Sequence, residues 1–67
     1  MEYFSRKDLN FHLMEVFLQS DALSMKVLWY SKEVEDLRRN FPQVKITKGE
    51  KIEENGKFVC VVERMSK

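Results

Sequence analysis

The chain has 67 residues, twelve basic and eleven acidic, with a net charge of +1. At 43% hydrophobic and 12% aromatic residues it has the composition of a globular domain, not of a disordered segment. The balanced charge argues against a strong electrostatic grip on nucleic acid. One cysteine, Cys60, and one histidine, His12, exclude an internal disulfide and do not supply a zinc site.

The length corresponds to one domain over residues 1–67, and a domain this short is marginal on its own. Of the usual supports, only self-association fits the composition. No apolar run reaches the length of a membrane span. Charges are scattered through residues 1–23 without a cleavage pattern, so they do not read as a signal peptide. With a single thiol, the expected setting is cytoplasmic.

Residues 1–4 read as a short extended lead-in. A long helix is then expected from Ser5 to about Ala22. Ser5 is a good N-cap, Asp8 stands at the capping-box position, and Phe4 with Leu9 occupies the positions of a hydrophobic staple. At 100° per residue, Leu9, Leu13, Val16, Phe17 and Leu23 form a core-facing stripe. Phe11, Met14, Leu18 and Ala22 gather on a second apolar face, with Asn10, Glu15, Gln19 and Asp21 in polar seams between the two. A small domain covers only one side of a helix easily. The second face is therefore expected to meet another protein or a second copy of the chain.

Residues 25–30, MKVLWY, read as a strand with Met25, Val27 and Trp29 on one face, because Val, Trp and Tyr favour strands. A helix continuing through this stretch is the alternative. Ser31 looks like a fresh N-cap for a second helix, Lys32 to about Asn40, with acidic residues early and Arg38 and Arg39 late, the order that the helix dipole favours. Its core face is Val34, Leu37 and Phe41, and Pro42 stops it. Residues 43–64 read as a β-hairpin about Asn55-Gly56, a type I′ signal. That turn sets Glu54 opposite Lys57, Ile52 opposite Val59 and Lys48 opposite Glu63. One face then gathers Val44, Ile46, Val59 and Val61, and the other Phe58, Cys60 and Val62. Gly49 marks a bulge or break. The run Phe58–Val62 is apolar on both faces, which suits a central strand. Ser66 and Lys67 are a tail.

The expected fold is α+β, in the order α-β-α-β-β, with two helices on one face of a three-stranded sheet ordered 1-3-2. Catalytic chemistry is thinly provided. Cys60 sits mid-strand among valines, as a small buried hydrophobe does, and His12 has no nucleophile beside it. The acidic groups Glu33, Glu35, Asp36 and Glu50, Glu53, Glu54 are explained by a helix N-terminus and an exposed hairpin. No phosphate, dinucleotide or metal motif occurs, and no cofactor or metal is expected. The leading expectation is a non-catalytic protein-binding or regulatory module that acts through Phe11, Met14, Leu18 and Ala22 of its first helix, as a homodimer or with a protein partner. The alternative is nucleic-acid binding through Arg38, Arg39, Lys45, Lys48 and Lys51, opposed by the neighbouring glutamates.

Overall fold

In the computed structural model, which describes residues 5–65, the chain runs α1 (Arg6–Gln19), β1 (Ser24–Trp29), α2 (Ser31–Asn40), β2 (Val44–Lys51) and β3 (Phe58–Arg64). The expected lead-in over residues 1–4, the staple through Phe4 and the tail at 66–67 lie outside the described residues. The sheet order is β1-β3-β2, and both pairings are antiparallel. The fold is a small α+β domain. The strand predicted over residues 25–30 is present, with Met25 and Val27 half-buried and Trp29 buried.

Local signals explain most of these boundaries. The Ser5 hydroxyl accepts the Asp8 backbone N–H at 3.1 Å and caps α1. The cap of α2 is Tyr30, one residue before the predicted Ser31. There the Glu33 carboxylate reaches back to accept the Tyr30 N–H at 2.9 Å, the half of a capping box that needs no Ser or Thr. Arg38 and Arg39 occupy the last turn of α2, as the dipole favours.

One core lies between the helices and one face of the sheet. Met14 and Phe17 of α1 and Val34 and Leu37 of α2 meet Trp29, Phe41, Val44, Ile46, Cys60 and Val62, all buried. The apolar run of β3 is accounted for by its central position, paired on both sides.

The hairpin register differs from the expected one. Lys48 lies opposite Cys60, and Lys45 opposite Glu63. The Asn55-Gly56 pair does not form a type I′ turn, because Gly56 alone has a positive φ, +74°. Instead Ile52 N–H donates to Lys57 O at 2.7 Å and Gly56 N–H to Ile52 O at 2.8 Å, closing a loop over residues 53–56. The Asn55 side chain accepts the Lys57 N–H at 2.9 Å, which satisfies a donor that the shorter turn would have paired. The loop is thus two residues longer than expected. A bulge between Lys48 and Lys51 adds a third. An odd slip exchanges the faces, so Val44 and Ile46 share theirs with Cys60 and Val62, while Val59 and Val61 turn to the open side of the sheet.

Gly49 lies in that bulge. A Cβ there would stand 2.6 Å from the Val59 carbonyl oxygen, against backbone that cannot yield. At Gly56 the space is open and only the left-handed φ resists a side chain. Gly49→Ala is expected to lower the urea midpoint by an amount equivalent to about 1–3 kcal/mol, and Gly56→Ala by about 1 kcal/mol. Equal, small losses at both positions would contradict the close approach at Gly49.

Candidate functional site

The orientation of α1 decides which of its side chains reach water, and a polar junction sets that orientation. The buried Trp29 indole N–H donates to Asn10 Oδ1 at 2.9 Å. Asn10 Nδ2 in turn donates to Glu33 Oε2 at 2.9 Å. Arg6 grips the same carboxylate through Nε (2.9 Å) and Nη2 (3.2 Å). With the Tyr30 N–H added, Glu33 accepts four hydrogen bonds and ties α1, the end of β1 and the start of α2 together. Burial pulls the Glu33 carboxyl toward its protonated form, but the bonds from Arg6, Tyr30 and Asn10 outweigh this and hold its pKa below the ordinary 4.5.

With Asn10 held over Trp29, the buried arc of α1 is centred on Asn10, Met14 and Phe17, which span about 60° of the helix. That arc runs between the two apolar faces expected from the sequence. Both assignments are therefore corrected. Of the candidate partner-binding residues, Met14 is completely buried and Phe11 and Leu18 are half-buried against the core. Phe11 packs edge-on against Phe41, with ring centroids 5.1 Å apart. Ala22 is exposed but lies beyond the helix. Of the expected core stripe, only Phe17 is buried and Leu13 half-buried, while Leu9 is 54%, Val16 49% and Leu23 80% exposed.

The helix also ends earlier than expected, at Gln19. The Ser20 hydroxyl donates to Phe17 O at 2.8 Å and accepts the Ala22 N–H at 3.1 Å, so its side chain takes over from the helical pattern. Arg64 completes the stop from the far end of the chain. Its guanidinium donates to Phe17 O (2.8 Å), Leu18 O (3.2 Å), Ser20 O and Ala22 O (2.8 Å), and stacks 5.0 Å from the Phe17 ring. No basic residue of α1 stands in its own last turn, so Arg64 supplies the cation that the helix C-terminus favours. Local sequence pattern carries no signal for a residue 44 positions away.

The basic residues of the nucleic-acid alternative are not gathered into one surface. Arg38 donates from Nε (3.2 Å) and Nη2 (2.6 Å) to Ile46 O. Arg39 approaches Asp36 at 3.7 Å. Lys48 donates to the Ser31 hydroxyl at 3.0 Å and lies 4.8 Å over the Phe58 ring. Lys45 is on the other face of the sheet, opposite Glu63. Lys51 pairs with Phe58 beyond the bulge. His12 is exposed on α1. Cys60 is buried, its Sγ 3.4 Å from Phe58 O, and burial pushes its thiol pKa up, away from a reactive thiolate.

The two edges of the sheet are treated differently. In an antiparallel ladder, backbone groups point alternately inward and outward. Arg64 N–H bonds Leu23 O at 3.3 Å, so the alternation turns the backbone groups of Met25, Val27 and Trp29 toward β3. Those of Ser24, Lys26 and Leu28 turn outward from β1. On β2 the outward residues are Val44, Ile46 and Lys48, and there Arg38 covers the Ile46 carbonyl. Among the described residues, no side chain bonds the outward amides and carbonyls of β1.

Leu9 and Val16 fall on the flank of α1 opposite Phe11, which faces α2 through Phe41. They therefore project beside the bare β1 edge, with Leu28, 42% exposed, on the open side of the same strand. A shallow groove of about 370 Å³ lies on the other flank, lined by Arg6, Lys7, Phe11, Tyr30, Lys32 and Leu37 among others. Among the described residues, no helix is long and apolar enough to cross a membrane. No family model matches the chain, and comparison with curated proteins and with solved structures gives no match either.

Two measurements check this geometry. Met14→Ala should cost about 2–5 kcal/mol in denaturant unfolding, whereas Val16→Ala should stay within about 1 kcal/mol of the parent; the reverse order would mean that α1 is turned the other way. Glu33→Gln should destabilise the protein most above pH 4.5, the ordinary carboxyl value, where the native carboxylate is ionised in both states. The difference from the parent should shrink as acid protonates Glu33 through its lowered native pKa. A difference that stays constant with pH would remove the charged junction.

Proposed function

We propose that the protein is a non-catalytic interaction module, acting in the cytoplasm, that docks another polypeptide along the β1 side of the domain. The reading keeps α1 as the binding element expected from the sequence but moves the contact to its opposite flank, Leu9, Leu13 and Val16, together with the outward edge of β1. The observation that carries it is the coincidence of two unsatisfied features at one place. Two half-exposed aliphatic side chains overhang a strand edge with no intramolecular cover among the described residues. An open edge of this kind pairs readily with another strand, which is why proteins usually blunt it. Edge pairing supplies main-chain hydrogen bonds, and flanking side chains then decide which partner fits.

The mechanism requires no chemistry beyond burial. Leu9 is 54% and Val16 49% exposed, so removing the rest of each from water contributes about 1 kcal/mol, a modest part of a micromolar association energy of about 8 kcal/mol. Regulation would follow from occupancy of the docked partner.

Replacing both residues, Leu9→Glu with Val16→Glu, should leave the circular dichroism spectrum intact and change stability by no more than about 1 kcal/mol, since both are surface substitutions. The same pair should abolish recovery of binding partners, a differently tagged second copy included, when tagged chains are cross-linked and purified from cells. Identical recoveries for the parent and the double variant would refute the surface.

A further inference from the structure

We infer that the partner is a second copy of this chain, joined edge to edge through β1 in an antiparallel register centred on Val27, so that two three-stranded sheets become one of six strands. This rests on the docking surface proposed above and specifies its occupant.

Self-complementarity carries the argument. A two-fold axis perpendicular to the sheet brings β1 antiparallel to its own copy and keeps both pairs of helices on the same face. The pleat admits only registers that pair like faces. If Lys26 sat on the axis it would face the partner's Lys26, and like charges directly opposite one another are unfavourable. With Val27 on the axis, Val27 meets the partner's Val27, Met25 pairs with the partner's Trp29, and Lys26 lies beside the partner's Leu28. The outward backbone groups of Lys26 and Leu28 are then the ones that form the ladder, and the inward-facing Val27 occupies the close, non-hydrogen-bonded position at the axis. Five residues pair in this register; moving the axis to Leu28 runs Lys26 into Tyr30, where β1 has already given way to the cap of α2.

The helices match under the same axis. The short link from Gln19 to Ser24 and the Asn10–Trp29 and Arg6–Tyr30 contacts lay α1 antiparallel over β1. Leu13 therefore sits near the middle of β1, with Leu9 toward Trp29 and Val16 toward Met25. The two-fold axis sets Leu13 against the partner's Leu13 and Leu9 against the partner's Val16, apolar to apolar throughout. A stable interface removes about 800 Å² from each partner. Five residues of strand edge fall short of that, and the helix flank supplies the remainder. The opposite edge is a poor competitor, since Arg38 already occupies the Ile46 carbonyl.

The experiment combines sedimentation equilibrium of the purified full chain, from about 1 µM to about 1 mM, with amide exchange by NMR and a charge swap at Leu28. The parent should pass from one to two chain masses with concentration, and the Lys26 and Leu28 amides should gain protection in step. Leu28→Glu and Leu28→Lys remove the same leucine, but the first sets a carboxylate against the partner's Lys26 and the second an ammonium, twice per dimer. The Glu variant should dimerise about tenfold more tightly than the Lys variant. A dimer in which the two variants associate equally, or the Lys26 and Leu28 amides stay unprotected, overturns the β1 register. A strict monomer at every concentration overturns the second copy as partner. In that case the Leu9 and Val16 double variant decides the rest: partner recovery lost in that variant keeps the docking surface with a different polypeptide, and unchanged recovery removes both.

Discussion

The Glu33 carboxylate is the constraint on which the arrangement of this domain depends. A buried indole N–H has to find an acceptor, and Trp29 finds Asn10. Asn10 is half-buried and needs somewhere to send its own N–H, and Glu33 receives it. Glu33 also has to hold the first turn of α2 by accepting the Tyr30 N–H. One side chain thus couples the core anchor of β1, the roll of α1 and the start of α2. No buried side-chain nitrogen or oxygen among the described residues lacks a partner, so the polar cost of the junction is met in full. Its geometry then has a consequence for everything outside the core. Once Asn10 points inward, the sides of α1 are assigned, and Leu9 and Val16 fall where the core does not reach.

How far the fold could be read in advance depended on the range of the interaction involved. Ser5, Val34, Leu37, Phe41, Pro42 and the two-sided apolar run Phe58–Val62 act through near neighbours or through burial pattern, and they led to the correct elements, order and sheet arrangement. Hydrophobic periodicity misplaces the roll of α1 because it treats Asn10 as a seam between apolar faces. In the structure Asn10 is the middle of the buried arc, and what turned it inward was a single acceptor for Trp29, nineteen residues away. The hairpin register departs from the sequence pattern for a different reason. Asn55-Gly56 permits more than one loop, and the choice lay with the Asn55 side chain and with the bulge at Gly49. Gly49 marks the bulge in the sequence, but the two-residue lengthening of the loop keeps the faces, and the bulge alone exchanges them from Val44 to Lys48. The same roll moves Met14 out of the expected contact face, and it is among the most deeply buried side chains.

Several of the charges are committed within the fold. Two arginines that look like ordinary surface cations in the sequence are backbone caps. Arg38 closes the β2 edge at Ile46, and Arg64 gathers the last carbonyls of α1. Arg6 is bound to Glu33. A guanidinium suits these tasks because its fork presents several donors in one plane. The same commitments weaken the case for nucleic-acid recognition: Arg38 is held at the Ile46 carbonyl, Lys48 at Ser31, and Lys45 and Lys48 lie on opposite faces of the sheet. Besides solvated charge, the described residues leave apolar side chain and main chain without a partner.

That remainder is concentrated on one side. A two-layer domain of this size offers a helix one surface to pack on, and α1 carries apolar residues around more of its circumference than that surface covers. Had the excess fallen on the α2 flank, the second helix would have absorbed it, as Phe41 absorbs Phe11. It falls instead over β1, the edge without an arginine cover. Either feature alone would be unremarked, since single exposed aliphatic residues are common and every open sheet has edges. Placed together, they meet opposite requirements of one contact: the strand edge supplies directional bonds but little area, and the helix flank supplies area but no direction. A partner that satisfies both must present an unpaired strand with an aliphatic helix face beside it, which is the description of this side of the protein itself.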